Sequence, residues 1–324
     1  MNSVQCELCP KRCVIKPGQS GDCRARINLD GELVASTYGY PCALHVDPVE
    51  KKPLYHFLPG SRAFSVATAG CNLHCLNCQN WEISQAPPDA VPAYRAPPAR
   101  LVRLARENKC RSIAYTYTDP VIFYEYTLDS SRLARQAGIK NILVTAGYIN
   151  RKPLLELCKV TDAANIDLKG MTDAFYRKVC GATLKPVQNT LVTAKNAGVM
   201  VEVTNLLLPT LNDSDRDITA LCRWIKKEMG SDTPLHFSRF FPRFRMRDLP
   251  PTSENTLARA RRIALAEGLK FIYVGNLLNP EWSGTNCPNC NKVLIRRSGY
   301  RILENHIKNG ACPDCKTKIY GVWK

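Results

Sequence analysis

Short runs rich in β-branched residues alternate with helix-like stretches over most of this chain of 324 residues. The strand-like runs lie at residues 63–68, 112–117, 141–145, 164–168, 199–204, 235–238 and 271–274. The helix-like stretches lie at residues 99–107, 125–136, 186–196, 215–228 and 254–267. Strands that alternate with helices form a parallel sheet covered by those helices. The six or seven β/α units predict an α/β fold of the partial TIM barrel type, and a doubly wound sheet is the alternative.

The composition changes along the chain and predicts three parts. They are a cysteine-rich metal-binding segment at residues 1–60, the barrel at residues 61–279 and a small module at residues 280–324. With 45% hydrophobic residues the chain can bury one large core. Neither a secretory signal nor an apolar run of membrane-spanning length is read from it. We therefore expect a soluble cytoplasmic protein, in which 16 cysteines in close-spaced groups bind metal rather than form disulfides.

A loop of three cysteines follows the first strand of the predicted barrel. Cys71, Cys75 and Cys78 have the spacing C-x3-C-x2-C. A cubane iron–sulfur cluster takes four cysteine ligands, so three would leave one iron open, as is typical of catalytic metal sites. The alternative is that these cysteines are small apolar side chains on one helix face. Gly70 and Asn72 favour a loop over a helix, and hence the metal site.

Two further groups of cysteines have the spacing of metal ligands. Two C-x2-C pairs in the tail predict a zinc ribbon, whose ligands can equally hold a rubredoxin-like iron: Cys287, Cys290, Cys312 and Cys315. Four N-terminal cysteines predict either a structural zinc or an auxiliary iron–sulfur cluster: Cys6, Cys9, Cys13 and Cys23. Four others lie in or beside helical patterns and are predicted to be buried apolar side chains: Cys110, Cys158, Cys180 and Cys222.

Polar residues gather where the predicted strands stop. They are Asp119, Thr145, Gly147, Asp167 and Lys169, with His236 in a later strand. The carboxyl ends of parallel strands form the rim at which such folds bind their ligands. We therefore expect these residues to converge in space.

The cysteine loop resembles the signature of radical S-adenosylmethionine (SAM) enzymes. Beyond that loop, the chain resembles the radical SAM member of the AmmeMemoRadiSam system, which is similar to pyruvate formate-lyase-activating enzymes. The resemblance rests on residues 6–13, 47–60, 78–85, 165–170, 236–241 and the tail. It implies that three cysteines hold a 4Fe-4S cluster whose open iron binds SAM. It also implies reductive cleavage of SAM to a 5'-deoxyadenosyl radical that abstracts hydrogen from a substrate.

The same resemblance implies roles for the rim residues. Asp119 stands where relatives have an acidic residue that accepts a hydrogen bond from the SAM amino group, although its arm is shorter. Thr145 and Gly147 resemble a Thr-Asn-Gly turn near SAM in which alanine replaces asparagine. Asp167 and Lys169 resemble an Asp-x-Lys motif whose lysine pairs with the methionine carboxylate. His236 resembles a histidine near the methionine and ribose. The residues alone leave alternatives open: Asp119 can start a turn, Lys169 can be solvated, and His236 can be a core histidine with satisfied hydrogen bonds.

Three functions compete at this point. The resemblance implies a radical enzyme that works with Memo-like and AMMECR-like partners and with a reductant such as ferredoxin or flavodoxin. A glycyl-radical activase would use the same residues. From a different class comes a basic zinc-dependent nucleic-acid-binding protein, indicated by the net charge of +17 and by basic tail residues: Arg296, Arg297, Arg301, Lys308, Lys316 and Lys318. That class does not explain why the cysteine loop stops at three ligands, so we do not favour it.

Overall fold

A computed structural model describes residues 2–277 and 279–324 of the chain. Its largest sheet has eight strands, which lie side by side in the order in which they occur along the chain. The strands in chain order are β1 (Val4–Gln5), β2 (Val14–Ile15), β3 (Arg26–Leu29), β4 (Glu32–Ala35), β5 (Ala43–Pro48), β6 (Arg62–Ala67), β7 (Ser112–Tyr115), β8 (Lys140–Thr145), β9 (Ala163–Asp167), β10 (Met200–Leu207), β11 (Leu235–Arg239), β12 (Ile272–Gly275), β13 (Thr285–Asn286), β14 (Val293–Ser298) and β15 (Arg301–Asn305). Strands β6 to β12 pair in parallel, and β5 adds an antiparallel edge strand next to β6.

This strand order settles the choice between the two predicted architectures. A doubly wound sheet reverses its strand order at a switch point, whereas a barrel keeps the order of the chain. The partial barrel is therefore confirmed, and the doubly wound alternative is wrong. The antiparallel edge strand β5 was not predicted.

The sheet curves around a plug segment, residues 49–58. Lys52 Nζ in this segment lies 2.7 Å from Asp47 Oδ2 of β5. The ring of Tyr55 in the same segment lies 4.7 Å from the ring of Tyr273 in β12. Because β5 and β12 are the two edges of the sheet, one short segment can touch both only if the sheet bends into an incomplete barrel.

Helices cover the outer face of the sheet. They are α1 (Trp81–Ser84), α2 (Pro98–Glu107), α3 (Tyr124–Gln136), α4 (Arg151–Cys158), α5 (Asp173–Phe175), α6 (Leu184–Asn196), α7 (Asp215–Trp224), α8 (Glu254–Ala266) and α9 (Pro280–Ser283), with π-helical turns at Tyr176–Cys180 and Ile225–Met229 and 3-10 turns at Val49–Lys51 and Pro88–Ala90. The hydroxyls of Ser214 and Ser253 cap α7 and α8 by accepting from backbone N–H groups. None of the helices in these described residues has the length and apolar character needed to cross a membrane.

The predicted helices agree with the structure to within about two residues, with one change of type. The stretch predicted at 215–228 is α-helical to Trp224 and continues as a π-helical turn. Helix α4 and the segment from α5 through the turn Tyr176–Cys180 were not predicted, because both are short and α4 contains Pro153.

The tail packs at the amino-terminal ends of the barrel strands, since Val201 N–H near the start of β10 donates to Tyr320 Oη at 3.0 Å. It forms its own small antiparallel sheet, β13-β14-β15. Its last residues pair with the plug segment, since Leu58 N–H donates to Val322 O and Val322 N–H donates to His56 O, both at 2.7 Å. The tail and the barrel therefore share a buried contact, and the three-part division of the chain stays a prediction.

Candidate active site

The cysteine loop, residues 71–78, begins where β6 ends, at the carboxyl edge of the sheet. Gly70 enters the loop with φ of 96°, and a Cβ at this position would lie 2.4 Å from the carbonyl oxygen of Cys23. Glycine is the residue that fits such a turn and such a close approach. On the other side, His74 N–H donates to Cys180 O at 2.9 Å. The loop is thus fixed between the N-terminal segment and a π-helical turn.

Cys71, Cys75 and Cys78 are each half-buried. Cys78 Sγ lies 3.1 Å from Ser84 Oγ, and Leu73 N–H points at Cys71 Sγ over 3.4 Å. A tetrahedral zinc with bonds of about 2.3 Å would bring its sulfurs to about 3.8 Å from one another. Within residues 2–277 and 279–324, the tail cysteines alone form a group whose ligand atoms all lie within 4.8 Å. The loop sulfurs are therefore not gathered as around a single ion, and three thiolates are a ligand set that suits a cluster with one open iron.

Cys180 lies against Cys75, a contact that the sequence did not predict. Cys180 is fully buried, which confirms its prediction as a buried side chain. The hydrogen bond from the Cys180 thiol lowers the pKa of Cys75 to about 7, with help from the charge of Lys169 and against the effect of burial. Cys75 is thereby prepared to act as a thiolate, which is the form that binds metal.

Asp167 and Lys169 form an ion pair at the carboxyl end of β9. Lys169 Nζ lies 2.7 Å from Asp167 Oδ2. Burial opposes the charge on Lys169, but Asp167 and the Cys75 thiolate together raise the pKa of this lysine well above its usual value. The structure thus places a permanent ammonium charge beside the cysteine loop. Such a charge can bind an anionic group of a ligand held at the loop.

Asp119 joins the ends of two neighbouring strands. Its carboxylate accepts from Thr145 Oγ1 at 3.0 Å, from Ala146 N–H at 2.8 Å and from Val121 N–H at 3.0 Å. Burial raises the pKa of Asp119 to about 6 in spite of these bonds. Gly147 N–H donates in turn to Thr145 Oγ1 at 3.0 Å. The structure therefore brings Asp119, Thr145 and Gly147 together, with both oxygens of Asp119 engaged in holding the turn.

His236 lies inside the barrel in a different group. It is 3% exposed, and its Nε2 lies 2.6 Å from Glu202 Oε2. The rings of Tyr55 and Tyr273 lie 4.9 and 5.1 Å from the imidazole. This is the environment of a buried core histidine whose Nε2 is hydrogen-bonded, which favours the core-histidine alternative over a position at the rim. We therefore do not include His236 among the SAM contacts proposed below.

The Glu202–His236 pair belongs to a buried polar cluster that sequence reasoning missed. Glu202 Oε1 also accepts from His56 N–H at 2.7 Å. Arg297 is fully buried and donates to Tyr55 O at 2.7 Å. The assignment of Arg297 to a basic surface is therefore wrong, because this guanidinium serves the barrel interior. A glutamate within the apolar run 199–204 was the signal that could have indicated such a cluster.

The tail cysteines have the geometry of a single-ion site. Cys287 Sγ lies 3.4 Å from Cys315 Sγ, and Cys290 Sγ lies 3.7 Å from Cys312 Sγ. These spacings match the value of about 3.8 Å that a tetrahedral thiolate site requires. The tail group can therefore hold a metal ion.

A family model described as the radical SAM superfamily matches residues 65–224. That range contains the cysteine loop, the Asp119 turn and the Asp167–Lys169 pair. It ends before β11, and so excludes His236 and the tail.

Two relatives extend this match along the chain. An uncharacterized protein from Methanocaldococcus jannaschii is 46% identical over 320 residues, which cover 98% of this chain and 95% of that protein. A pyruvate formate-lyase-activating enzyme from Clostridium pasteurianum is 26% identical over 173 residues, which cover 52% of this chain and 71% of that enzyme.

Solved structures resemble the fold at low sequence identity. SuiB from Streptococcus suis, bound to its precursor peptide SuiA, has a TM-score of 0.52 and 14% identity. The likeness covers 70% of this chain and 51% of SuiB. At this identity it concerns the fold alone, and it agrees with the partial barrel described above.

Proposed function

Because this chain belongs to the radical SAM superfamily, we propose that Cys71, Cys75 and Cys78 hold a 4Fe-4S cluster whose open iron binds SAM. The observation that carries this proposal is the three-thiol loop at the strand ends, with the Lys169 ammonium beside Cys75. When bound, cluster and SAM supply reductive cleavage to methionine and a 5'-deoxyadenosyl radical that abstracts hydrogen from a substrate.

The chain's own residues bind and orient these groups. Lys169 pairs with the methionine carboxylate as a point charge on a flexible stem, while Asp167 holds the stem in place at 2.7 Å. Asp119 acts as a positioning residue, because its hydrogen bonds fix the turn from Thr145 to Gly147 at the rim. The Cys180 thiol forms a hydrogen bond with Cys75 and is not itself a ligand of the cluster.

We further propose the partners. An electron donor such as ferredoxin or flavodoxin is acidic, and the net charge of +17 suits its docking. Memo-like and AMMECR-like proteins are the partners that the sequence resemblance supports. A glycyl-radical activase is the weaker proposal, since the match to the activating enzyme spans 52% of this chain.

The tail group holds zinc in this proposal. The spacing of its sulfurs supports a single tetrahedral ion, and zinc serves such closed sites structurally. Metal analysis of the purified protein distinguishes zinc from iron at this site.

The deciding experiment measures SAM cleavage. The full chain is reconstituted anaerobically with iron and sulfide, reduced with dithionite in the presence of SAM, and assayed for 5'-deoxyadenosine. We expect the product from the wild type and from a Cys110→Ala control, in which a buried cysteine away from the loop is changed. Cys75→Ala should give neither product nor a SAM-responsive cluster signal. No 5'-deoxyadenosine from a fully loaded wild type would overturn the proposal.

A further inference from the structure

The four N-terminal cysteines face one common cavity. Cys6, Cys9, Cys13 and Cys23 all line it and are all free thiols. Cys6, Cys9 and Cys23 are buried, although they come from a segment with little regular structure. Four buried or half-buried thiols around one space are a ligand set that the proposed SAM chemistry does not use.

The sulfurs of the N-terminal cysteines are not gathered as closely as those of the tail cysteines. A single tetrahedral ion brings its sulfurs to about 3.8 Å from one another. The tail cysteines meet that condition, but no three of the N-terminal cysteines, all within the described residues, have sulfurs that lie within 4.8 Å of one another. The same structure thus contains one compact four-cysteine group and one wider group. Four thiols without the compact geometry of a single-ion site favour an occupant with several metal atoms, each bound by one thiolate.

Basic side chains line the same cavity. Lys11 and Arg26 both contribute to its wall. Arg26 is 6% exposed, and its Nε is buried without a hydrogen-bond partner in the described part of the chain. Arg26 is paired with Glu125 and Lys11 with Asp22, so each of these cations already has a carboxylate partner. The four thiols, rather than these cations, therefore determine what the cavity can bind.

The cavity lies directly behind the cysteine loop. Asn72, the neighbour of Cys71, lines it and is 1% exposed, and its Oδ1 has no hydrogen-bond partner within the described residues. His74 in the loop lies 2.8 Å from the carboxylate of Asp22, the neighbour of Cys23. One layer of side chains therefore separates the N-terminal cysteines from the loop cysteines.

We propose that Cys6, Cys9, Cys13 and Cys23 hold a second 4Fe-4S cluster beside the cluster of the loop. All four irons of this cluster have a protein thiolate, so it leaves no position for SAM. This proposal takes the iron–sulfur alternative for these four cysteines rather than the zinc alternative, and it makes the N-terminal segment a cofactor-binding part of the enzyme.

Metal counts on the full chain test this proposal. After anaerobic reconstitution and desalting, the wild type should contain about eight iron and eight sulfide per chain, the sum of two cubane clusters. A Cys9→Ala/Cys13→Ala variant and a Cys71→Ala/Cys75→Ala/Cys78→Ala variant should each retain about four iron. The control Cys110→Ala should retain the wild-type count. SAM should change the electron paramagnetic resonance spectrum of the reduced Cys9→Ala/Cys13→Ala variant and leave that of the triple variant unchanged.

Each outcome decides the matter. A wild type with about four iron and two zinc per chain would overturn the proposal without any variant, so poor folding of a variant does not protect it. Iron in the triple variant supports the second cluster, even if the loop cluster of the wild type does not react with SAM. Conversely, if the triple variant contains no iron while the wild type cleaves SAM, the second cluster is ruled out and the proposed function is unaffected.

Discussion

Lys169 Nζ lies 2.7 Å from Asp167 Oδ2 at the end of β9, and the same ammonium faces Cys75 of the cysteine loop. An ammonium has three donors, so a lysine held by one carboxylate can still bind a second. A ligand carboxylate placed at the loop would therefore meet a positioned positive charge. This is the feature of the rim that most directly favours an amino acid group as part of the ligand.

Replacing this lysine should weaken SAM binding more than it weakens the fold. Lys169→Met removes a charged hydrogen bond worth about 1.5–3 kcal/mol, so we expect the SAM dissociation constant to rise about 10- to 150-fold. The measurement is a SAM titration of the cluster-loaded protein. Lys159→Met, which removes an exposed lysine paired with Glu156, is the control and should bind as the wild type does. Unchanged SAM affinity in Lys169→Met would remove the lysine from the ligand site.

The two neighbouring cysteines Cys75 and Cys180 should behave differently when each is replaced. Cys180 is fully buried and touches the loop through Cys75, so Cys180→Ala should keep a cluster of about four iron in the loop. Cys75→Ala should lose that cluster. Iron counts and the SAM-dependent change in the electron paramagnetic resonance spectrum distinguish the two variants. If Cys180→Ala lost the cluster and Cys75→Ala kept it, the ligand assignment would have to be exchanged.

The regular elements and the rim were predictable because their signals are local. Runs of β-branched residues located β6 to β12, and the cysteine spacing located the loop. The contacts of Cys180, Glu202 and Arg297 were not predictable in the same way, because their partners lie far away in sequence. Cys180 meets a residue about 100 positions earlier, and Arg297 donates to Tyr55, 242 positions away. Such pairs depend on how the sheet closes around the plug segment, which no local pattern specifies.

The buried histidine of the plug segment should make stability depend on pH. His56 is fully buried; its Nδ1 lies 2.6 Å from Tyr320 O and its Nε2 lies 2.6 Å from Tyr273 Oη. A carbonyl can only accept, so Nδ1 carries a proton, and in the neutral ring Nε2 accepts from the Tyr273 hydroxyl. Burial lowers the pKa of His56 to about 4, while its pKa in the unfolded chain is about 6.5.

Between these two pKa values the unfolded chain binds one more proton than the folded chain, so stability falls as the pH falls. From pH 7 to pH 4 this residue should remove about 3 kcal/mol from the free energy of unfolding. His56→Gln should be less stable at pH 7 and should lose less stability on acidification, as measured by urea unfolding. His306→Gln, at an exposed histidine, is the control and should keep the wild-type slope. An equal slope in His56→Gln would show that His56 is not the titrating group.

Loss of the tail metal should destabilise the barrel as well as the tail. The last residues of the tail hold the plug segment through Leu58 and Val322, and Tyr320 Oη accepts from Val201 N–H in β10 at 3.0 Å. Cys290 is exposed, so Cys290→Ser removes a metal ligand with little loss of packing. We expect one metal ion fewer per chain and a fall in the thermal midpoint of about 5 °C or more, because a structural metal contributes directly to folding. The control Cys110→Ala should keep the metal. A variant that lost the metal with an unchanged midpoint would mean that the tail packs on the barrel without metal support, since the contacts of Val322 and Tyr320 would then be sufficient by themselves.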